Sequence, residues 1–196
     1  MRGFSPHALF QHKWTGGQFS LVRAIFGVYL TIHFAHLLPW AAELFSSAGA
    51  VPDAAASPFA YVFPNILSFV DGPVFATAFV GIAVLASAFL AAGYRTRLMA
   101  ILIWYIGACL FGRNPLVTNP ALAFVGWLML LLAFMPKTAP YGSWSARGRV
   151  DPGGGWEYPR SFFTVAWLVM GAGYTYSGFT KLISPSWPKE PKLSTA

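Results

Sequence analysis

A chain of 196 residues, 56% hydrophobic and only 10% charged, with a mean hydropathy of +0.56, carries more apolar surface than a soluble core of that length can hide. Its net charge of +7 does not signal nucleic acid, because the 13 Lys and Arg residues stand singly rather than in a patch or helix stripe. Composition therefore excludes a soluble enzyme and a nucleic-acid binder, and points to an all-α, multi-pass transmembrane helical bundle at about 20 residues per crossing.

The N-terminal stretch 1–18 is basic and has no apolar run of signal-peptide length, so the first hydrophobic helix is expected to act as an uncleaved signal anchor. Residues 19–44 form that helix, long enough at about 1.5 Å per residue to cross a bilayer core of roughly 30 Å. Residues 45–72 are rich in Ala, Ser, Pro and aromatics and contain no Lys or Arg. Within them PFAYVFPNILSFVD, with its two prolines at 58 and 64, suits an interfacial segment that lies on the membrane. The unbroken apolar run 73–93, with Pro73 at its start and Gly93 at its end, predicts the second span.

Past Arg95 and Arg97, two shorter runs at 98–111 and 121–135 flank GRNPLVTNP. At that length a re-entrant hairpin competes with two crossings, and two crossings are the expectation. The lone Cys109 inside the first of them can form no intrachain disulfide and reads as a small core residue. The stretch 136–160 is Gly-, Pro- and charge-rich connector chemistry, and 161–183 is long enough for a last span. The chain thus reads as one membrane domain, 19–183, of five spans, followed by a short extracytoplasmic tail at 184–196. Nine basic residues (Arg2, Lys13, Arg23, Arg95, Arg97, Lys137, Arg147, Arg149, Arg160) fall on the N-terminal side against four opposite, which predicts an inner (plasma) membrane protein with a cytoplasmic N-terminus.

Ionisable residues inside a membrane are functional candidates by default. On the first helix Tyr29, His33, His36, Trp40 and Glu43 follow steps of four, three, four and three, one stripe that should face protein or a cavity. Proton handling, ligand binding, a two-ligand contribution to a metal and a hydrogen-bonded packing seam all fit that stripe. Pro39 is expected to kink the helix or end it early.

On the last helix Gly173, Ser177 and Lys181 form one ladder, with Tyr174 and Gly178 on the neighbouring one. The small residues would admit a close neighbour helix. Counted from residues 19 and 161, His36 lies roughly 25 Å and Lys181 roughly 30 Å along their helices, both near the outer boundary. There Lys181 either snorkels to headgroups or, partly desolvated beside histidine and tyrosine, serves as a general base. Arg23, one turn into the first helix, is expected to snorkel to cytoplasmic phosphates. Arg113, in the short outer turn, binds an anionic group or caps the helices.

The segment SGFTKLISPSW resembles that of the vitamin K-dependent gamma-carboxylase and its bacterial relatives, the horizontally transferred transmembrane (HTTM) domain proteins, in which Gly-x-x-Lys-Leu precedes a tryptophan. Arg23 and Gly27 match an Arg-x-x-x-Gly run. Asn114 matches the Asn-containing turn, and Phe134-Met135-Pro136 the Phe-x-Pro that ends a Leu-rich helix. The resemblance spans about 21–187. It implies that Lys181 is the base that deprotonates a vitamin K-type quinol. The reading of the residues themselves adds His33 and His36 as further catalytic candidates and Tyr29, Arg113, Tyr174 and Ser177 as cofactor-binding ones. The implied partners are membrane lipids and a quinone or a membrane protein. After Trp187 the sequence departs from the pattern, and the carboxylase's soluble substrate-binding part has no counterpart, so peptide carboxylation is not expected. A non-catalytic membrane subunit or scaffold is the competing reading. A small transporter is the third, disfavoured because no internal repeat or paired broken helix is evident.

Overall fold

The computed structural model describes residues 16–59, 62–117, 121–135 and 160–184. Two compact units divide the chain, Met1–Tyr158 and Pro159–Ala196. The described residues form helices and turns and no strand. Among them Gly17–Phe45, Pro73–Ala92 and Thr96–Arg113 are long and apolar enough to cross a membrane, and Phe124–Phe134 is apolar but shorter.

In the first unit, helix α1 (Gly16–Leu37) stops where Pro39 removes a backbone donor. Leu38–Trp40 tightens into a 3-10 turn, and α2 (Ala41–Phe45) resumes the path. Helix α3 (Pro73–Ala92) starts on Gly72-Pro73 and ends on Gly93 at φ 75°. The Gly93 amide donates to Leu90 O (3.0 Å) and that of Tyr94 to Phe89 O (2.9 Å), while the Phe89 and Tyr94 rings meet at 5.5 Å. These are the paired bonds and apolar clasp of a Schellman ending, for which glycine is the least strained residue. Arg95, at φ 42°, completes the turn. Helix α4 (Thr96–Arg113) outruns the expected 98–111 at both ends, because its terminal arginines meet backbone carbonyls of the protein: Arg97 donates to Met135 O and Arg113 faces Pro52 O. Helix α5 (Ala121–Phe134) follows.

Helix α1 packs on α3, α3 on α4 and α4 on α5. The hydrogen bonds at the helix ends give the directions. Arg23 near the start of α1 reaches the end of α3, and Arg97 at the start of α4 reaches Met135 just past α5. At the opposite end, Asn114 after α4 donates to Leu44 O of α2 (3.0 Å). Successive long helices therefore run antiparallel, and α5 returns to the level at which α4 begins.

The buried face of α1 carries Phe19, Arg23, Gly27, Leu30 and Phe34 at steps of four, four, three and four. Gly27 is the point of closest approach: a Cβ there would stand 2.5 Å from the Ala91 backbone N, so only glycine lets α3 come so near. On α3 the buried stripe is Ala76, Val80, Ala83, Ser87 and Leu90, again mostly small. Arg23 does not snorkel to lipid phosphates as expected. It is buried, and its Nη1 donates to Leu90 O and to Ala91 O (2.8 Å). The last carbonyls of α3 carry partial negative charge and no helical partner, so they draw the guanidinium inward.

Among its described residues the segment after α2 forms no long helix. It makes 3-10 turns at Ala54–Ala56 and Ile66–Ser68, capped by Asp53 and Asn65, and lies back on α4. Asn65 Nδ2 donates to Cys109 O (2.9 Å), Ser57 Oγ to Gly112 O (2.5 Å) and Tyr105 Oη to Pro64 O (3.0 Å). Cys109 is a buried core residue, as its apolar surroundings in the sequence suggested.

The second unit contains α6 (Arg160–Ile183), one continuous helix over the run expected at 161–183. The basic N-terminus, the connector before Arg160 and the tail with Trp187 lie outside the described residues.

Candidate functional site

Within the first unit, α1, α4, α5 and the segment after α2 line an open cavity of about 640 Å³. Its walls are aliphatic and aromatic, with Phe34 and Leu37 from α1, Trp104 and Phe111 from α4, Trp127 and Met129 from α5, and Phe59 and Phe63 from the loop. The loop is fastened to α4 at the cavity's edge, where the Phe59 and Phe111 rings meet at 4.9 Å with their planes tilted by 45°. Glycines widen the space. A Cβ on Gly107 would meet nothing within 4 Å, and one on Gly126 would touch only the Trp104 ring at 3.7 Å. An open apolar pocket of this volume, walled by aliphatic and aromatic side chains, has the dimensions of a ligand site.

His33 is the one ionisable residue in the lining. It is half-buried, stacks on Tyr29 (6.2 Å, 17°) and meets Phe34 edge-on (5.3 Å, 67°). These two rings hold the imidazole at the cavity wall, where it can donate or accept one hydrogen bond to a polar group of an otherwise apolar occupant. The rest of the predicted stripe behaves differently: Tyr29 (51% exposed), His36, Trp40 (59% exposed) and Glu43 point away from the packed face. The stripe exists at its helical spacing, but the approach of α3 at Gly27 decides which side of α1 is buried. Among the described residues no group of three or more His, Cys, Asp or Glu could hold a metal ion.

Arg113, which the sequence placed in the outer turn, is the last residue of α4 and is 1% exposed. It lies in the turn of α4 that contributes Leu110 and Phe111 to the cavity. Its neighbour Asn114 is equally buried and ties α4 to Leu44 O.

In the second unit Tyr174, Ser177 and Lys181 stand at i, i+3 and i+7 on one face of α6, with Lys181 in the last turn. Thr175 Oγ1 donates to Gly171 O (2.8 Å) and Thr180 Oγ1 to Ser177 O (3.0 Å), so these hydroxyls serve their own helix. The structure thus puts His33 alone of the stripe at the cavity, with Tyr29 stacked on its outer side, sets Arg113 at one helix end, and places Tyr174, Ser177 and Lys181 together on a separate unit.

Sequence reasoning missed the two glycines and the loop aromatics as cavity walls. Nothing in the sequence marks Trp104 and Trp127 as cavity walls, since a cavity wall and a lipid-facing wall have the same composition. Asn65 was also missed, although an Asn ahead of a short apolar turn is a capping signal. Compared with known proteins, the chain matches no family model, no curated protein and no solved structure.

Proposed function

We propose that this is a five-span inner-membrane protein with a cytoplasmic N-terminus. Its first unit binds an amphiphile with a long apolar part, an isoprenoid quinone or a lipid chain, beside His33. Lys181 on α6 acts as the base toward a quinol hydroxyl. The cavity carries this reading: about 640 Å³ of aromatic and aliphatic wall with a single imidazole suits a ligand that is mostly hydrocarbon and has one polar ring. Two crossings for α4 and α5 are supported by the length of α4, an apolar helix whose 18 residues reach about 27 Å, more than the arm of a re-entrant hairpin needs. The base assignment rests on the resemblance to the HTTM proteins around Lys181, and on the chemistry of a lysine at the end of an apolar helix.

The test is saturable binding of a menaquinol analogue to the full chain in nanodiscs. Gly107→Leu puts a side chain into open cavity space and should weaken binding by about tenfold or more, since a filled pocket excludes an equal apolar volume of ligand. His33→Leu should weaken it by about tenfold, the equivalent of one buried hydrogen bond. Lys181→Arg should leave binding intact and abolish turnover, because arginine keeps the charge and cannot give up its proton. Activity retained in both Lys181→Arg and Lys181→Ala would end the base assignment. A folded protein with no saturable binding would leave the non-catalytic subunit in its place.

A further inference from the structure

Arg113 is the largest fully buried side chain among the described residues. Its planar guanidinium carries five N–H donors and no acceptor. Among the described residues one acceptor meets it, Pro52 O, at 3.4 Å from Nη2, the long limit of a hydrogen bond. Nε and Nη1 are buried with no hydrogen-bond partner.

The polar groups around it are already committed. Asn114 donates to Leu44 O and accepts from the Leu116 amide; Asn65 donates to Cys109 O and accepts from the Leu67 amide; Ser57 donates to Gly112 O. Asp53, next to Pro52 in the sequence, is exposed and its Oδ1 caps the Ala55 amide. A buried cation with open donors and no counter-charge costs several kcal/mol, whereas an oxyanion on the same donors satisfies both charge and hydrogen bonds. Arg113 ends an 18-residue apolar helix, about 27 Å long, so it stands at the depth where a bilayer carries its phosphates. Leu110 and Phe111, one turn or less before it, line the apolar cavity.

We infer that Arg113 anchors a binding site for a phosphate-class oxyanion at the end of the cavity. The ligand oxygens displace the weak Pro52 contact and accept from Nε and Nη1. When the oxyanion is a lipid headgroup, an acyl chain extends into the space beside Phe111. That placement of the chain rests on the cavity reading above; the oxyanion site itself does not.

The test compares thermal midpoint and retained lipid, by native mass spectrometry, for the full chain. The conditions are phosphatidylcholine nanodiscs, nanodiscs containing phosphatidylglycerol, and phosphatidylcholine nanodiscs with inorganic phosphate. The expected result is a raised midpoint and about tenfold preferential retention of phosphatidylglycerol, the size of one charge-assisted contact. Arg113→Gln should lose both and Arg113→Lys should keep part, while the exposed Arg95→Gln should keep both. Stabilisation by inorganic phosphate alone, lost in Arg113→Gln, assigns the site to a free oxyanion.

No effect of either anion on the wild type overturns the inference. So does an effect equal in wild type and Arg113→Gln, or a loss of stability in Asp53→Asn matching that in Arg113→Gln, which would make Asp53 the counter-charge. The wild-type arms need no variant to fold. Quinol-analogue binding sensitive to Gly107→Leu without any oxyanion effect would sink this inference alone. The converse would sink the cavity reading alone.

Discussion

Two buried arginines mark the two ends of the first unit, and they are served very differently. Arg23 enters from α1 and lies on Leu90 O and Ala91 O, the last carbonyls of α3, leaving only Nε buried without a partner. Those carbonyls are orphans of the helix end and carry its partial negative charge, so each group answers the other's deficit. Arg113 meets one loop carbonyl at 3.4 Å and keeps two nitrogens unserved. The same contrast separates the packing around them. Near Arg23, α1 and α3 close to backbone contact at Gly27; toward Arg113, α4, α5 and the loop leave the cavity open. One end of the unit is built for cohesion, the other for an occupant.

Three sets of substitutions would break or sharpen that contrast, the set with the largest effect first. Gly27→Val forces a branched side chain into the Ala91 backbone and should destabilise the protein by about 3 kcal/mol or more, because backbone cannot yield as a side chain can. Gly107→Ala, with nothing within 4 Å of its Cβ, should be near neutral by the same thermal measurement. If both lowered the midpoint equally, the packed and open sides would not differ.

Removing the two arginines should act in opposite directions. Arg23→Gln should cost about 2 kcal/mol through lost charge-assisted bonds to the α3 carbonyls. Arg113→Gln, measured in neutral detergent without added oxyanion, should be neutral or stabilising because it removes an uncompensated buried charge. Equal losses from both would show that Arg113 is as well served as Arg23.

The smallest effect belongs to the turn that joins the two sides. Arg95 holds a left-handed φ of 42°, which costs a non-glycine residue about 1 kcal/mol, so Arg95→Gly should raise stability by about that amount. A lower midpoint in that variant would mean that the Arg95 side chain, which lies over the Tyr94 ring at 5.7 Å, contributes more than the backbone strain removes.

The sequence by itself determined that the chain is helical and apolar, where α3 starts and stops, and that Pro39 interrupts the first helix. These follow from backbone chemistry and local periodicity: proline lacks a donor, glycine tolerates positive φ, and hydrocarbon runs need helices to satisfy their amides. The His33 stripe and the buried Cys109 were legible for the same reason.

Only the tertiary structure decided which member of the stripe reaches a cavity. That depends on Gly27 meeting Ala91, a pairing 64 residues apart that no local pattern encodes. It also turned Arg23 inward and buried Arg113. A lone arginine near a helix end has the same sequence signature whether it meets lipid phosphate, a neighbour's carbonyls or nothing at all. The outcome is set by which orphan carbonyls other helices bring within reach of its side chain.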